Sequence, residues 1–201
     1  MKAPHPSVAV IDYGAGNLFS VTHALEAAGA RVSIAQTSQD LARASRVVLP
    51  GVGAFGAGIA ALRAGDLDQA IAEFTASGRP FLGICLGMHL LLEHSDELGD
   101  HRGLGLFSGR VRRLPSSVTV PHIGWNQFSR VGTSRILQED FAAYFAHSYH
   151  VDGSHPYCVA TVDHGGPVAA ALERDNVFAL QFHPEKSGDA GQRPLRRFLE
   201  I

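Results

Sequence analysis

The sequence is short of cysteine, tryptophan and charge, and each shortage excludes a class of protein. Among 201 residues there are two cysteines, one tryptophan and 18% charged residues. Two cysteines cannot brace a disulfide scaffold. Cys85 and Cys158 could form one bridge, but no apolar stretch before Asp12 is long enough for a signal peptide or a membrane span. Reduced thiols in a cytoplasmic protein are therefore expected. The formal net charge of −2 gives no electrostatic footprint for nucleic acid or a membrane surface. The run Arg110-Val-Arg112-Arg113 is too short to change that and reads as a solvated face. Repeats, low-complexity segments and linkers are missing too, and 45% hydrophobic residues suffice for a sizeable core, so one domain over residues 1–201 is expected.

The first half alternates strand and helix. Ser7 to Asp12 reads as a strand; Asn17 caps a helix bearing Leu18, Val21 and Leu25 on one face and ending at Gly29. Arg31 to Ala35 and Arg46 to Leu49 are short strands, and Asp66 or Asp68 starts a helix through Ile71 and Phe74. This alternation predicts an α/β fold with a mostly parallel central sheet flanked by helices. After His101 the texture changes to antiparallel strands and turns: Leu104 to Leu114, Ser117 to Val120, Asn126 to Val131 and Ala142 to Val151. A hairpin follows around Asp175-Asn176, then a closing helix from Asp189 to Ile201.

One cysteine sits where an apolar run changes period. Pro80 to Ile84 reads as a buried strand; beyond it Leu86, Leu90 and Glu93 fall at helical spacing, with Met88, Leu91 and Leu92 on an apolar face. Cys85 thus occupies a strand-to-helix junction between Gly83 and Gly87, a G-x-nucleophile-x-G elbow with sulfur in place of a serine oxygen. The following helix N-terminus would favour a thiolate. A small buried hydrophobe is the alternative for an isolated cysteine.

A thiol nucleophile needs a base, and the base an orienting group. Of 11 histidines, His183 follows the strand Val177 to Phe182. Pro184 biases it towards extended backbone, and Glu185 can reach back to one imidazole nitrogen. Alone, His-Pro-Glu would be an ordinary turn; beside the elbow it becomes a candidate base. The glycine-rich turn after Leu49, containing Gly51, Val52 and Gly53, could supply oxyanion donors together with the N–H of Leu86. It lacks both the P-loop ending and the dinucleotide spacing, and Gly14-Ala-Gly16 is only a fragment of the latter. His147 and His150, read on one strand, would point to opposite faces, while His94 and His101 read as a helix end and a loop. No metal site is expected, nor any other cofactor.

These stretches together resemble the class I (triad-type) glutamine amidotransferases: Gly83-Ile-Cys85-Leu-Gly87-Met with His183-Pro-Glu185 downstream. Four more, beginning at Ile11, Leu49, Pro121 and Gln181, are similar to the glutaminase subunits of imidazole glycerol phosphate synthases. The resemblance spans nearly the whole chain and leaves no room for an attached synthase domain. It implies Cys85 as nucleophile, His183 as base, Glu185 as its orienter, and glutamine contacts from Ser148 and Tyr149 beside the Gly51–Gly53 turn. It also implies a (β/α)8-barrel cyclase partner facing Pro121, His122, Trp125, Asn126 and Lys186. Trp125, in a stretch too turn-rich for a core strand, is placed at that surface. Position 89 departs from the pattern: this chain has His89 where the family usually has a Gln that helps hold the substrate's amino-acid end. Phe19 stands where the family often has Arg. The rivals are another class I amidotransferase and a catalytically silent subunit of that fold.

Overall fold

The computed structural model describes residues 6–201; the expectation that no leader precedes Asp12 falls in part on residues 1–5, which lie outside the described residues. Five parallel strands form the first half of a nine-stranded sheet. In chain order these are β1 (Ser7–Ile11), β2 (Arg31–Ala35), β3 (Arg46–Leu49), β4 (Phe81–Ile84) and, much later, β13 (Val177–Leu180). In space the order is β2-β1-β3-β4-β13, all parallel. Beyond β13 the sheet continues antiparallel through β12 (Pro167–Arg174), β11 (Cys158–Asp163), β8 (His122–Arg130) and β9 (Ala142–His147). The β12–β13 hairpin turns at Asp175 and Asn176, and Asp175 takes φ +52°. A second sheet of four short strands joins β10 (Tyr149–His150), β7 (Phe107–Arg113), β5 (Leu92–Ser95) and β6 (His101–Arg102).

Alternation along β1 explains the layering. Val8 and Val10 enter one apolar cluster with Val21 and Leu25 of α1 (Leu18–Ala28) and Leu195 and Phe198 of α6 (Gly188–Glu200). Ala9 and Ile11 enter the other, with Ile59 and Leu62 of α3 (Phe55–Ala64) and Ile71 and Phe74 of α4 (Leu67–Ala76). A period of two places successive side chains on opposite faces, so helices must cover both. Asn17 accepts a hydrogen bond from the Ser20 N–H, and Gly29 closes α1 in the left-handed conformation. The short α2 (Ser38–Arg43) carries a capping box between Thr37 and Asp40. No helix among the described residues is long and apolar enough to cross a membrane.

Four expectations change. The helix after Cys85, α5 (Leu86–Leu90), has five residues only, and Leu92 and Glu93 belong to β5. Leu90, Leu91 and Leu92 are all buried, so the apolar run had no period with which to choose helix over strand. Residues 117–120 form a turn, and the strand starts at His122, which puts Trp125 within β8. His94 and His101 lie on paired strands β5 and β6, not on a helix end and a loop. His147 and His150 are not on one strand either: Ser148 separates β9 from β10.

Candidate active site

Strands β3, β4 and β13 end side by side, and their carboxyl ends deliver the predicted residues to one place. Cys85 follows β4 with φ +53° and ψ −109°, a conformation that a non-glycine residue adopts only when its surroundings impose it. Those surroundings are tight. A Cβ on Gly87 would overlap the Leu49 carbonyl, and one on Gly83 would lie 2.9 Å from the Gly87 carbonyl carbon. The two glycines let α5 start directly over the end of β3, and the turn lifts Cys85 out of the sheet. Its N–H donates to the Leu180 carbonyl of β13 at 2.8 Å. With α5 so short, little helix dipole acts on the thiol; the charge beside it is that of His183.

His183 follows β13, its N–H donating to the Tyr144 carbonyl at 2.9 Å. The imidazole Nδ1 is 2.8 Å from Glu185 Oε1, and both side chains are almost completely buried. A carboxylate only accepts, so Nδ1 carries the proton and Nε2 is left for Cys85. Burial by itself would push the His183 pKa down; Cys85 and Glu185 outweigh it and raise the pKa to about 10. The arrangement is that of a thiol beside an imidazole oriented by a carboxylate, able to attack a carbonyl carbon and hand a proton to the leaving group. Tyr13, whose hydroxyl donates to the Pro50 carbonyl at 3.0 Å, has its phenol pKa raised by burial and by Cys85.

In front of Cys85 opens a cavity of about 280 Å³ lined by Val52, Gly53, Leu86, His89, Pro121, Ser148 and Tyr149, all predicted site residues. Glu97, Ile123, Ala146 and His147 complete it, and sequence reasoning missed these four. Glu97 is the only carboxylate on its wall; the carboxylate also accepts the Phe55 N–H at 2.8 Å, capping α3. It lies twelve positions after Cys85, with no motif to mark it. His183 and Glu185 lie behind Cys85 and do not line the cavity.

Two of the expected oxyanion donors, the Leu86 and Val52 N–H groups, are not aimed at it. The Leu86 N–H donates to the Gly51 carbonyl at 3.4 Å. A planar trans peptide points its N–H opposite to its C=O, so the Val52 N–H faces away. His89 is buried, its Nε2 2.7 Å from Gln181 Oε1, and burial lowers its pKa to about 4, so the ring is neutral.

The residues expected at a partner surface divide by strand face. Pro121, Ile123, Trp125 and Lys186 are exposed, Trp125 to 59%, with Tyr144 packed edge-on against Trp125 and lying beneath Lys186 Nζ. His122 and Asn126, on the opposite face of β8, are buried and half-buried. Both cysteines are free thiols.

Comparison with known proteins places this geometry. Residues 9–201 match the family model described as glutamine amidotransferase class-I. The chain is 48% identical to "Imidazole glycerol phosphate synthase subunit HisH" of Trichormus variabilis, over 96% of this chain and 95% of that protein. The protein of the same description from Methanothermobacter thermautotrophicus is 46% identical, over 96% and 98%. Among solved structures, that of PurLQS from Thermotoga maritima superposes with a TM-score of 0.80 at 22% identity, covering 98% of each chain. The last likeness is one of fold; the family match and the close relatives carry more, and on them the chain belongs to the class I glutamine amidotransferases.

Proposed function

We propose that the chain is the glutaminase subunit of an imidazole glycerol phosphate synthase, acting in histidine biosynthesis in the cytoplasm. It hydrolyses glutamine to glutamate and ammonia, and a (β/α)8-barrel cyclase subunit consumes the ammonia. The observation that carries this reading is Cys85 and His183 at the ends of adjacent strands, with Glu185 holding His183 Nδ1. Cys85 thiolate attacks the side-chain amide carbon, and His183 Nε2–H protonates the departing ammonia, leaving a thioester. Neutral His183 Nε2 then takes a proton from water, whose oxygen attacks the thioester; glutamate leaves and the thiolate returns. Glutamine's ammonium suits Glu97, and its amino-acid end lies along Ser148, Tyr149 and His89.

The oxyanion formed at both steps needs the Leu86 and Val52 N–H groups. Rotating the Gly51–Val52 peptide would release the first from the Gly51 carbonyl and turn the second inward. A cyclase seated on the exposed apolar face of β8, beside the cavity mouth, is where the drive for that rotation would come from. The relatives' descriptions as synthase subunits and the exposure of Ile123 and Trp125 support this partner.

The test is glutamate release from glutamine with and without a cognate cyclase. Cys85→Ala is expected to lose at least about a thousandfold in rate, while ammonia supplied directly still sustains the cyclase in the complex. Retention of more than about a hundredth of the activity would overturn the assignment of the nucleophile.

A further inference from the structure

Four polar groups outside the catalytic triad form one directed chain of hydrogen bonds that ends at the substrate strand. His122 and His147 are paired directly across β8 and β9, and His122 Nδ1 lies 3.1 Å from His147 Nε2. Asn126 Nδ2 is 3.3 Å from His122 Nε2 and also donates to the Asp163 carbonyl at 3.1 Å. At the other end His147 Nδ1 is 2.8 Å from the Tyr149 carbonyl. Carbonyls only accept, so both ends are fixed: the Asn126 amide nitrogen faces His122, and His147 Nδ1 carries a proton. A neutral His147 then offers a lone pair at Nε2, which His122 Nδ1–H fills. His122 Nε2 in turn accepts from Asn126. One polarity satisfies every bond, and it requires both rings to be neutral. A proton added to either would set two N–H groups face to face.

The chain is well built. His122 and His147 are both buried. His122 is stacked between Phe145, at 4.9 Å between ring centroids, and His164, at 4.1 Å, both near parallel. His164 is held by its own Nε2–H, which donates to the Thr119 carbonyl at 2.8 Å. Around the pair lie His89 of α5 and His150 of β10, with Cys85 and Glu97 on the same cavity wall. Burial, with His164 alongside, lowers the His122 pKa to about 4, and burial, with His89, His122 and His150 nearby, lowers that of His147 to about 3.

We propose that His147 is a positioning residue for glutamine: locked as the Nδ1–H tautomer by His122, it pins the Tyr149 carbonyl and so fixes the break at Ser148 between β9 and β10. That break is what turns Ser148 and Tyr149 towards the cavity. The inference rests on the reading of the cavity as the glutamine site. It also gives the inner face of β8 a role distinct from its exposed one, since His122 and Asn126 set the tautomer from behind.

Nitrogen-15 spectroscopy of the imidazoles in the wild-type protein at neutral pH is the first test. Nδ1–H is expected in both His122 and His147, against the Nε2–H tautomer that free histidine prefers. An Nε2–H tautomer at His147 would overturn the proposal whether or not any variant folds. Kinetics with the cyclase present are the second. His147→Ala is expected to raise KM for glutamine about tenfold with little change in kcat. His147→Asn, whose amide can still donate to Tyr149, is expected to recover most of that rise. A purely structural histidine would lower stability in both variants and leave KM where it was. If wild-type protein releases no glutamate, the functional reading fails while the tautomers remain measurable. If wild type is active and His147→Ala keeps its KM, only this inference fails.

Discussion

Two neighbouring strand-to-helix junctions, after β3 and after β4, use glycine for opposite ends. They start in register, with Leu49 paired to Gly83. At the β4 junction the glycines are there because nothing larger fits: Gly83 and Gly87 are pressed between backbone and side chains, and Cys85 is only 6% exposed. At the β3 junction the crowding ends at Gly51, which faces the Tyr13 hydroxyl and Leu86. One residue on, Val52 is 44% exposed, and Gly53 sits at φ +103° with open space where a Cβ would be. Packing thus fixes the nucleophile side of the site, while backbone conformation and the hydrogen bond from the Leu86 N–H to the Gly51 carbonyl hold the donor side. The proposed nucleophile is ready in the free chain; the proposed oxyanion donors are not.

Adding one methyl to each junction breaks the comparison most directly. Gly87→Ala would drive its Cβ into the Leu49 backbone carbonyl, which cannot yield without dislodging β3. Its expected cost exceeds the roughly 1–3 kcal/mol of ordinary overpacking, with glutaminase activity lost. Gly53→Ala meets no atom and pays only for the left-handed backbone, about 1–2 kcal/mol. Urea unfolding of the two variants measures both costs. Equal destabilisation would mean that the β3 turn is packed as rigidly as the elbow.

The loose donor side sets the second expectation. Aiming one oxyanion donor correctly is worth about 10² to 10³ in rate. The ratio of cyclase-bound to free glutaminase turnover, measured at saturating glutamine, is expected in that range or above. A ratio near one would show that the Leu86–Gly51 hydrogen bond does not limit the free chain.

The same contrast explains what could be read from the sequence. The elbow announces itself because steric necessity leaves only glycine beside Cys85, and His183-Pro-Glu185 follows a recognisable apolar strand. The short strands Arg31–Ala35 and Arg46–Leu49 emerge at their observed bounds because Gly, Ser and Pro punctuate them. Beyond α5 the run Leu90 to Leu92 is buried on every side, so its switch from helix to strand left no periodicity to read. Only the first part of strand β8, before Asn126, was hidden, and by the reverse: apolar Ile123 and Trp125 lie on its exposed face and polar His122 and Asn126 on its inner one. The His122–His147 pair depends on a strand register joining residues 25 apart, and register is not written in either segment alone.

Buried neutral histidines make a prediction about acid. The folded-state pKa of His89 is depressed from 6.5 to about 4 by burial. Above pH 6.5 it is neutral folded or unfolded and contributes nothing. Between pH 6.5 and about 4 the unfolded chain takes up a proton that the fold refuses, so stability falls with pH and levels off below about 4. At about 1.4 kcal/mol per pH unit the loss is on the order of 3 kcal/mol for this group, and His147, depressed to about 3, adds to it. The urea midpoint is therefore expected to drop from pH 7 to pH 4.5, and His89→Gln to remove part of the drop. An unchanged drop in the variant would place the acid sensitivity elsewhere.

The smallest expected effect is on substrate affinity, and it bears on the elbow side alone. His89 lies one helical turn after Cys85 and lines the cavity. Its Nε2–H is committed to Gln181 Oε1 at 2.7 Å, so the ring keeps a single free group, the Nδ1 lone pair. A glutamine at this position has two donors and an acceptor oxygen, on a chain flexible enough to meet both Gln181 and the substrate. His89→Gln is therefore expected to lower KM for glutamine several-fold and to move kcat little, the pattern of a contact made equally in ground and transition states. A change in stability alone would not decide the matter, because the acid effect predicts one in any case. KM measured with the cyclase bound does decide it. If KM stays put, His89 serves only to pack against Gln181, and the crowded side of the site ends at the wall of the cavity.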